Sequence, residues 1–342
     1  MHSARRIRQL SQISPRMCAR AAIRTLRDSR LFRHFALINV KLAVLRRFSR
    51  ACWLSLECVP RSSTNAGKTL SSRMPLHRYT HAILCRIPLS LRTRGEVTLD
   101  EARTQHLALA QLLRELDIDV VEMPPDENSP LCVFVEDIAV VCNGIALIAR
   151  PSEPSRLKEL DTIRAVFKKE LEIPLIEISD KNARLDGGDV LFTGREFFVG
   201  LSHFTNEAGA RAVAAAFPEY PCVPIKVAES KRLKSLVTMA GPDVICVGAG
   251  KESQEVLKRI EREATYNYQT LTVPEDVAAN VLYVNGTLIH RSEHEIPQSS
   301  KVFAEKVEFP TRSLRMSELA KVSSGLSSCC LLVRRPRHIR SI

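Results

Sequence analysis

Between Leu185 and Gly200 the chain reads Leu-Asp-Gly-Gly-Asp-Val-Leu-Phe-Thr-Gly-Arg-Glu-Phe-Phe-Val-Gly, which sets two carboxylates, Asp186 and Asp189, around a Gly-Gly turn that feeds an apolar strand. Glycine at such a turn lets the backbone take positive φ or approach a ligand closely. Carboxylates beside it suit a planar cation, above all a guanidinium, which they hold through forked, charge-assisted hydrogen bonds. The same four residues in isolation also fit an ordinary hairpin with solvated turn acids. A second pair of acids, Glu136 and Asp137, interrupts the apolar run Cys132-Val-Phe-Val-Glu-Asp-Ile-Ala-Val-Val. Carboxylates buried there without partners are strongly unfavourable, whereas a strand end exposed at a turn avoids the problem. A thiol pair, Cys329-Cys330, stands in Gly325-Leu-Ser-Ser-Cys-Cys-Leu-Leu-Val. Read as a strand, this segment sends neighbouring side chains to opposite faces, although thiols in apolar strands are more often inert packing than nucleophiles.

Positioning these groups falls to a body that begins near residue 79. Leu99 to Leu116 carries Leu107, Leu109, Leu112, Leu113 and Leu116 on one broad face, which predicts a helix. A second helix is expected over Asn206–Phe217, capped by Thr205, and a third over Lys251–Ala264. Between them one pattern recurs at intervals of roughly 40–55 residues, a spacing typical of closed or stacked arrays. An acid or small polar residue opens an apolar strand, a polar turn follows, and a second strand returns. It appears at Val135–Val141 with Ile145–Ile148, at Asp189–Phe192 with Phe197–Gly200, at Asp243–Val247, at Asn280–Val284 with Thr287–His290, and at Ser328–Val333. Units that begin with hairpins favour a radial arrangement over a parallel sheet, and each strand start then directs a polar residue at the axis.

The block around Asp186 and Asp189, with the 132–161 block, closely resembles the dimethylarginine dimethylaminohydrolases of the guanidino-modifying superfamily. The likeness covers about residues 79–335. It implies a five-bladed α/β propeller (the pentein fold) of ββαβ modules around a central active-site channel. It also implies hydrolysis of N-methylated arginine to citrulline and a methylamine, in arginine metabolism and nitric-oxide regulation, with no metal or organic cofactor. On this resemblance Cys329 is the nucleophile, Asp186 binds the guanidinium or relays a proton, Phe134 lines the channel, and Glu136, Asp137, Arg156 and Ser323 bind substrate or organise the site. Three departures stand out. The family's proton-donating histidine, in a His-Leu-Lys-Ser context, is Arg232 in Lys231-Arg-Leu-Lys-Ser235, and arginine does not deprotonate in proteins. The family's arginine for the substrate carboxylate, in Leu-Ser-x-Arg-Thr-Asn, is Phe204 in Leu201-Ser-His-Phe-Thr-Asn206. An acid before the Cys-Val-Phe-Val-Glu-Asp block is Leu131, and the substrate lid after Pro88 is short. His203 and His290 are candidates to replace the donor. A catalytically impaired member that binds or regulates is the alternative to an enzyme, and a deiminase-like guanidino chemistry is a third reading.

The net charge of +12 would suggest a nucleic-acid or membrane-surface binder if it were spread over the fold. Residues 1–76 hold 16 Lys and Arg against two acids, Asp28 and Glu57, so that segment carries +14 and the rest −2. A body without a basic stripe gives no support for nucleic-acid recognition. The Arg- and Ser-rich segment 1–76 has the composition of a transit peptide, or of an extension upstream of a start at Met74. Its apolar stretch Phe35–Leu56 is broken by Lys41, Arg46, Arg47 and Arg50, which argues against a membrane span. Ten cysteines lack Cys-x-x-Cys or matched Cys/His spacing, so neither a zinc site nor a disulfide framework follows. The expected organisation is a basic extension (1–76), one hydrolase domain (77–335) and a basic tail (336–342). The expected partner is a small-molecule substrate, the expected state a monomer, and the expected location the cytoplasm, with the mitochondrion as the alternative.

Overall fold

The computed structural model describes residues 78–228, 230–322 and 325–335, all within one compact unit. The basic extension, the C-terminal tail and Ser323 lie outside the described residues. β1 (His81–Cys85), α1 (Leu99–Glu115) and β2 (Asp119–Met123) open the chain as a strand–helix–strand unit with parallel strands. Four complete units follow. The first holds β3 (Ala139–Cys142), β4 (Ile145–Ile148), α2 (Glu159–Ala165) and β5 (Leu175–Ile176). The second holds β6 (Val190–Phe192), β7 (Phe197–Leu201), α3 (Glu207–Ala216) and β8 (Cys222–Lys226). The third holds β9 (Val237–Gly241), β10 (Val244–Gly248), α4 (Lys251–Glu263) and β11 (Gln269–Val273), and the fourth β12 (Leu282–Val284), β13 (Thr287–Arg291), α5 (Pro297–Lys306) and β14 (Thr311–Leu314). The last strand, β15 (Leu331–Val333), returns to β1 and pairs antiparallel in the register Ala82↔Leu332, completing the opening unit.

In each unit the first two strands form an antiparallel hairpin, and a helix carries the chain to a third strand parallel to the second. A parallel pair needs such a crossover, because a two-residue turn cannot reverse direction twice. The result is the expected five-bladed α/β propeller of ββαβ modules, with its ring closed by a C-terminal strand in the N-terminal blade. Apolar faces of the helices pack on the sheets. Leu109 and Leu113 of α1, and Val256 and Ile260 of α4, are buried at helical spacing. Phe197 and Phe217 stack at 5.2 Å in the second complete unit.

Three local expectations change. The helix cap is Asn206, whose side chain accepts from the Gly209 N–H at 3.0 Å; Thr205, fully buried, instead accepts from the Asp186 N–H at 3.0 Å. Glu136, Asp137 and Cys329 are not in strands. A 3-10 turn precedes every inner strand, at Val135–Ile138, Gly187–Asp189, Leu233–Ser235, Asp276–Ala279 and Ser327–Cys329. With about three residues per turn, successive side chains diverge by roughly a third of a revolution, so adjacent acids can serve different ends of a channel without entering a sheet. Strand β9, the antiparallel partner of β10, was not anticipated. Among the described residues no helix is long and apolar enough to cross a membrane.

Candidate active site

The five 3-10 turns surround the propeller axis, and neighbours touch in sequence: the Ser327–Cys329 turn meets Val135–Ile138, which meets Gly187–Asp189, which meets Leu233–Ser235, which meets Asp276–Ala279. Their approach is close enough to dictate residue type. A Cβ on Gly187 would lie 1.9 Å from the Glu136 carbonyl oxygen, and one on Gly188 would lie 2.6 Å from Cδ of Arg232. The Gly-Gly of the 185–200 block therefore lets two turns and a side chain cross.

One cluster of charge joins Asp137, Asp186, Arg156 and Arg232. The Arg232 guanidinium forks onto Asp186, Nε to Oδ1 at 3.0 Å and Nη2 to Oδ2 at 2.9 Å, and Nη2 also lies 3.3 Å from Oδ2 of Asp137. The Phe204 ring covers the other surface of that guanidinium, with Cζ 4.2 Å from its centroid. Arg156 is 3 % exposed and wholly committed. It pairs with Asp137 and Glu159 and donates to the carbonyls of Leu131 (3.2 Å) and Phe134 (2.9 Å). Arg156 thus holds the Asp137 turn rather than an open subsite. Asp189, fully buried, accepts from Ser202 Oγ at 2.7 Å and from the Leu233 N–H at 2.9 Å, so it anchors the turn that carries Arg232.

The two acids around Arg232 differ in proton affinity. Burial pushes the Asp186 carboxyl up to about 7, with the Asp137 charge adding to the effect and Arg232 opposing it. Burial also acts on Asp137, but Arg232 and Arg156 outweigh it and hold that carboxyl below its ordinary range. Among the described residues no N–H reaches the buried Asp137 Oδ1, and the neighbouring Asp186 carboxyl hydrogen-bonds to Asp137 when it holds a proton.

A second cluster uses the remaining residues of the same turns. Lys234 Nζ meets Glu136 Oε1 at 2.7 Å, and Ser327 Oγ donates to Glu136 Oε2 at 2.8 Å. The Asn280 amide donates to Ser327 Oγ (2.9 Å) and to the Lys234 carbonyl (2.8 Å), while its oxygen accepts from the Ser327 N–H (2.9 Å). This cluster floors a cavity of about 420 Å³ at the hairpin end, with Leu191, Met239 and Tyr283 on its walls. Sequence reading placed Asn280 as a polar strand start directed at the axis, and missed Lys234 and Ser327, which the same recurrent signal at each inner strand start could have found.

Cys329 closes its 3-10 turn fully buried, with Sγ 3.8 Å from the Gly325 carbonyl, in the same apolar cluster as Phe134. Buried Arg291, at the end of β13, interacts electrostatically with Cys329, the kind of neighbour that favours a thiolate. Cys330 is buried in the same apolar cluster as Cys329 and also borders the cavity beside Glu136. Burial, then the Glu136 and Cys329 charges, push its thiol well above the usual range. Of the histidines, His290 lies tilted against Phe303 with ring centroids 4.8 Å apart and Nδ1 2.7 Å from the Arg291 carbonyl, and His203 is exposed beside Phe204. Neither touches the Asp137–Asp186–Arg232 cluster. Among the described residues no group of three or more His, Cys, Asp or Glu is arranged to hold a metal ion.

Comparison with known proteins agrees with this geometry. The family described as N,N dimethylarginine dimethylhydrolase, eukaryotic, matches residues 87–281. Human DDAH2 is 36% identical over 278 residues, covering 77% of this chain and 97% of the human one. The N(G),N(G)-dimethylarginine dimethylaminohydrolase of Pseudomonas aeruginosa is 24% identical over 245 residues, covering 70% and 91% of the two chains. A solved mutant of the Pseudomonas aeruginosa enzyme, complexed with citrulline, superimposes with a TM-score of 0.64 at 25% identity, over 75% of this chain and all of that one. The N-terminal domain of the arginine dihydrolase ArgZ shares the fold, with a TM-score of 0.62 at 18% identity over 75% and 98% of the two chains.

Proposed function

Since the chain belongs to the dimethylarginine dimethylaminohydrolase family, we propose that it hydrolyses N-methylated arginine, asymmetric dimethylarginine above all, to citrulline and dimethylamine. The observation that carries this reading is the meeting of a thiol turn with two buried carboxylates from adjacent turns of one ring. Carboxylates hold a guanidinium edge-on and leave its carbon open to a nucleophile on the face. In the proposed reaction Cys329, as thiolate, adds to that carbon, and the C=N electron pair moves to nitrogen. The tetrahedral adduct collapses with cleavage of the C–N bond to the dimethylamino group, which leaves as the amine after taking a proton. Water then adds to the S-linked intermediate and the C–S bond breaks, giving citrulline and regenerating the thiolate. Arg232 cannot supply the proton. Asp186, whose proton affinity lies near neutrality, is the group in this cluster suited to moving one.

The test is citrulline release by the full chain given asymmetric dimethylarginine, with Cys329→Ser as control. Release that depends on Cys329 supports the enzyme reading. A wild-type rate no greater than that of Cys329→Ser supports the second reading, a catalytically impaired member that binds or regulates. That second reading has its own observation behind it, the arginine that already sits on the acidic pair.

A further inference from the structure

We propose that Arg232 is a built-in guanidinium that occupies the subsite a substrate guanidinium needs, so that the protein holds its own channel closed to cationic ligands until this side chain leaves. The inference rests on the reading above of Asp137 and Asp186 as the guanidinium-binding pair, and deepens it. Recognition of a planar cation by protein has two parts, in-plane acceptors and an aromatic face. Arg232 already uses both, with its fork on Asp186, a third contact to Asp137, and Phe204 against its face. Its side chain is only 21% exposed and lies over Gly188, where any Cβ would collide with it. A solvated surface arginine would need none of this.

The occupancy is not completely satisfied. Among the described residues no N–H reaches Asp137 Oδ1, so with Asp186 ionised the acidic pair retains capacity for one more N–H than Arg232 delivers. Asp137 also keeps its ion pair with Arg156 if Arg232 swings away, whereas Asp186 loses its guanidinium partner and keeps the Gly188 N–H at 2.9 Å. Asp186 is therefore the carboxylate that an incoming guanidinium would have to satisfy. Self-occupancy acts as a tax on affinity, because apparent Kd equals the intrinsic Kd divided by the fraction of molecules with the side chain out. A site closed in nine molecules of ten loses about ten-fold, and one closed in ninety-nine of a hundred loses about a hundred-fold.

The experiment removes turnover with Cys329→Ser and compares that chain with Cys329→Ser/Arg232→Ala for binding of asymmetric dimethylarginine by calorimetry. A gain of at least ~10-fold in affinity for the double variant is expected. In parallel, low-millimolar guanidinium ion should raise the melting temperature of Arg232→Ala and leave that of the wild type unchanged, because the free ion refills the vacated fork. If Arg232→Ala does not fold, Arg232→Gln keeps most of the length, loses the fork and carries the same comparison. Loss of stability with no gain of guanidinium or methylarginine binding overturns the proposal and leaves Arg232 a structural ion pair. Gain of binding in the double variant, with no citrulline ever released by chains that keep Cys329, upholds the proposal and sinks the hydrolase reading instead.

Discussion

The same five turns build two charge clusters, and the clusters are finished to different degrees. At the hairpin end Lys234, Glu136, Ser327 and Asn280 form a circuit that ties four turns together, and both Glu136 oxygens have donors. At the other cluster Asp137 has an oxygen that no N–H reaches among the described residues, Asp186 is raised to about 7, and the Arg232 guanidinium occupies the acidic pair. Glu136 and Asp137 are adjacent in sequence and share burial, so composition does not separate them. What separates them is completeness. A fully satisfied buried network rigidifies the ring, whereas a partly satisfied one with perturbed proton affinity is where ligands and protons are handled.

The largest expected effect is at Arg232. Arg232→His restores a group that can donate a proton, and general acid catalysis typically contributes a factor of ~10²–10⁴ in turnover. Vacating the subsite should tighten binding in this variant, but only in part, because Phe204 offers nothing to the substrate carboxylate. Adding Phe204→Arg should then lower KM, but only alongside Arg232→His, since in the wild type it would set one guanidinium against another. Single-turnover rates and KM for the wild type, the two single variants and the double variant decide this. A gain from Phe204→Arg alone would break the assignment of Arg232 to the subsite. Next in size is the finished cluster. Lys234→Met strands a buried Glu136 and should cost about 3–5 kcal/mol of unfolding free energy, read by denaturant titration. Arg232→Met should cost less, because Asp186 can take a proton; equal losses would erase the distinction between the clusters.

Much of the propeller was legible because hairpins, glycines and apolar runs are local signals. The 185–200 block identified β6 and β7 directly, and its Gly-Gly signalled a close approach whose partners, the Glu136 backbone and Arg232, were not visible in sequence. The acids and the thiol were visible, but their backbone was not. Val135–Ile138 and Ser327–Cys329 run directly into the apolar strands Ala139–Cys142 and Leu331–Val333, so the period-2 reading extended those strands backwards over residues that the fold turns into 3-10 turns. Thr205 and Asn206 are both good caps, and burial of Thr205 against the Asp186 backbone decided between them. Least legible was the meaning of Arg232. Its partners lie 46 and 95 residues away, and its aromatic cover at Phe204 read as a missing arginine rather than as a new contact.

The clusters should also differ in their response to pH. Asp186 carries a folded-state pKa of about 7 against an ordinary 3.8. As pH falls from 7 toward 4 the folded protein takes up a proton that the unfolded chain does not, and this group adds stability. As pH rises through 7 that contribution is lost. The slope is at most about 1.4 kcal/mol per pH unit for one proton. Asp137, held below 3.8, acts outside this window, since its contribution is present above 3.8 and lost only at lower pH. The pH dependence of unfolding free energy should therefore flatten between 4 and 7 in Asp186→Asn. If Glu136→Gln flattens the same window equally, the response belongs to the ring as a whole and the contrast fails.

The smallest effect is expected at Cys330, which borders the cavity at the hairpin end one position after Cys329. Burial and the neighbouring Glu136 charge keep Cys330 protonated, so it has neither the thiolate nor the position to attack a guanidinium on the far side of its own backbone. Cys330→Ala removes one sulfur beside the lower cavity, where neighbouring walls can relax, and should cost about 1 kcal/mol of stability. Citrulline release should be unchanged within experimental error. Cys329→Ala differs by one position and should abolish release while leaving the Glu136–Lys234 circuit intact. Full activity in Cys329→Ala together with loss in Cys330→Ala would reverse the two assignments, moving the chemistry to the hairpin end and making the Asp137–Asp186–Arg232 cluster the structural one.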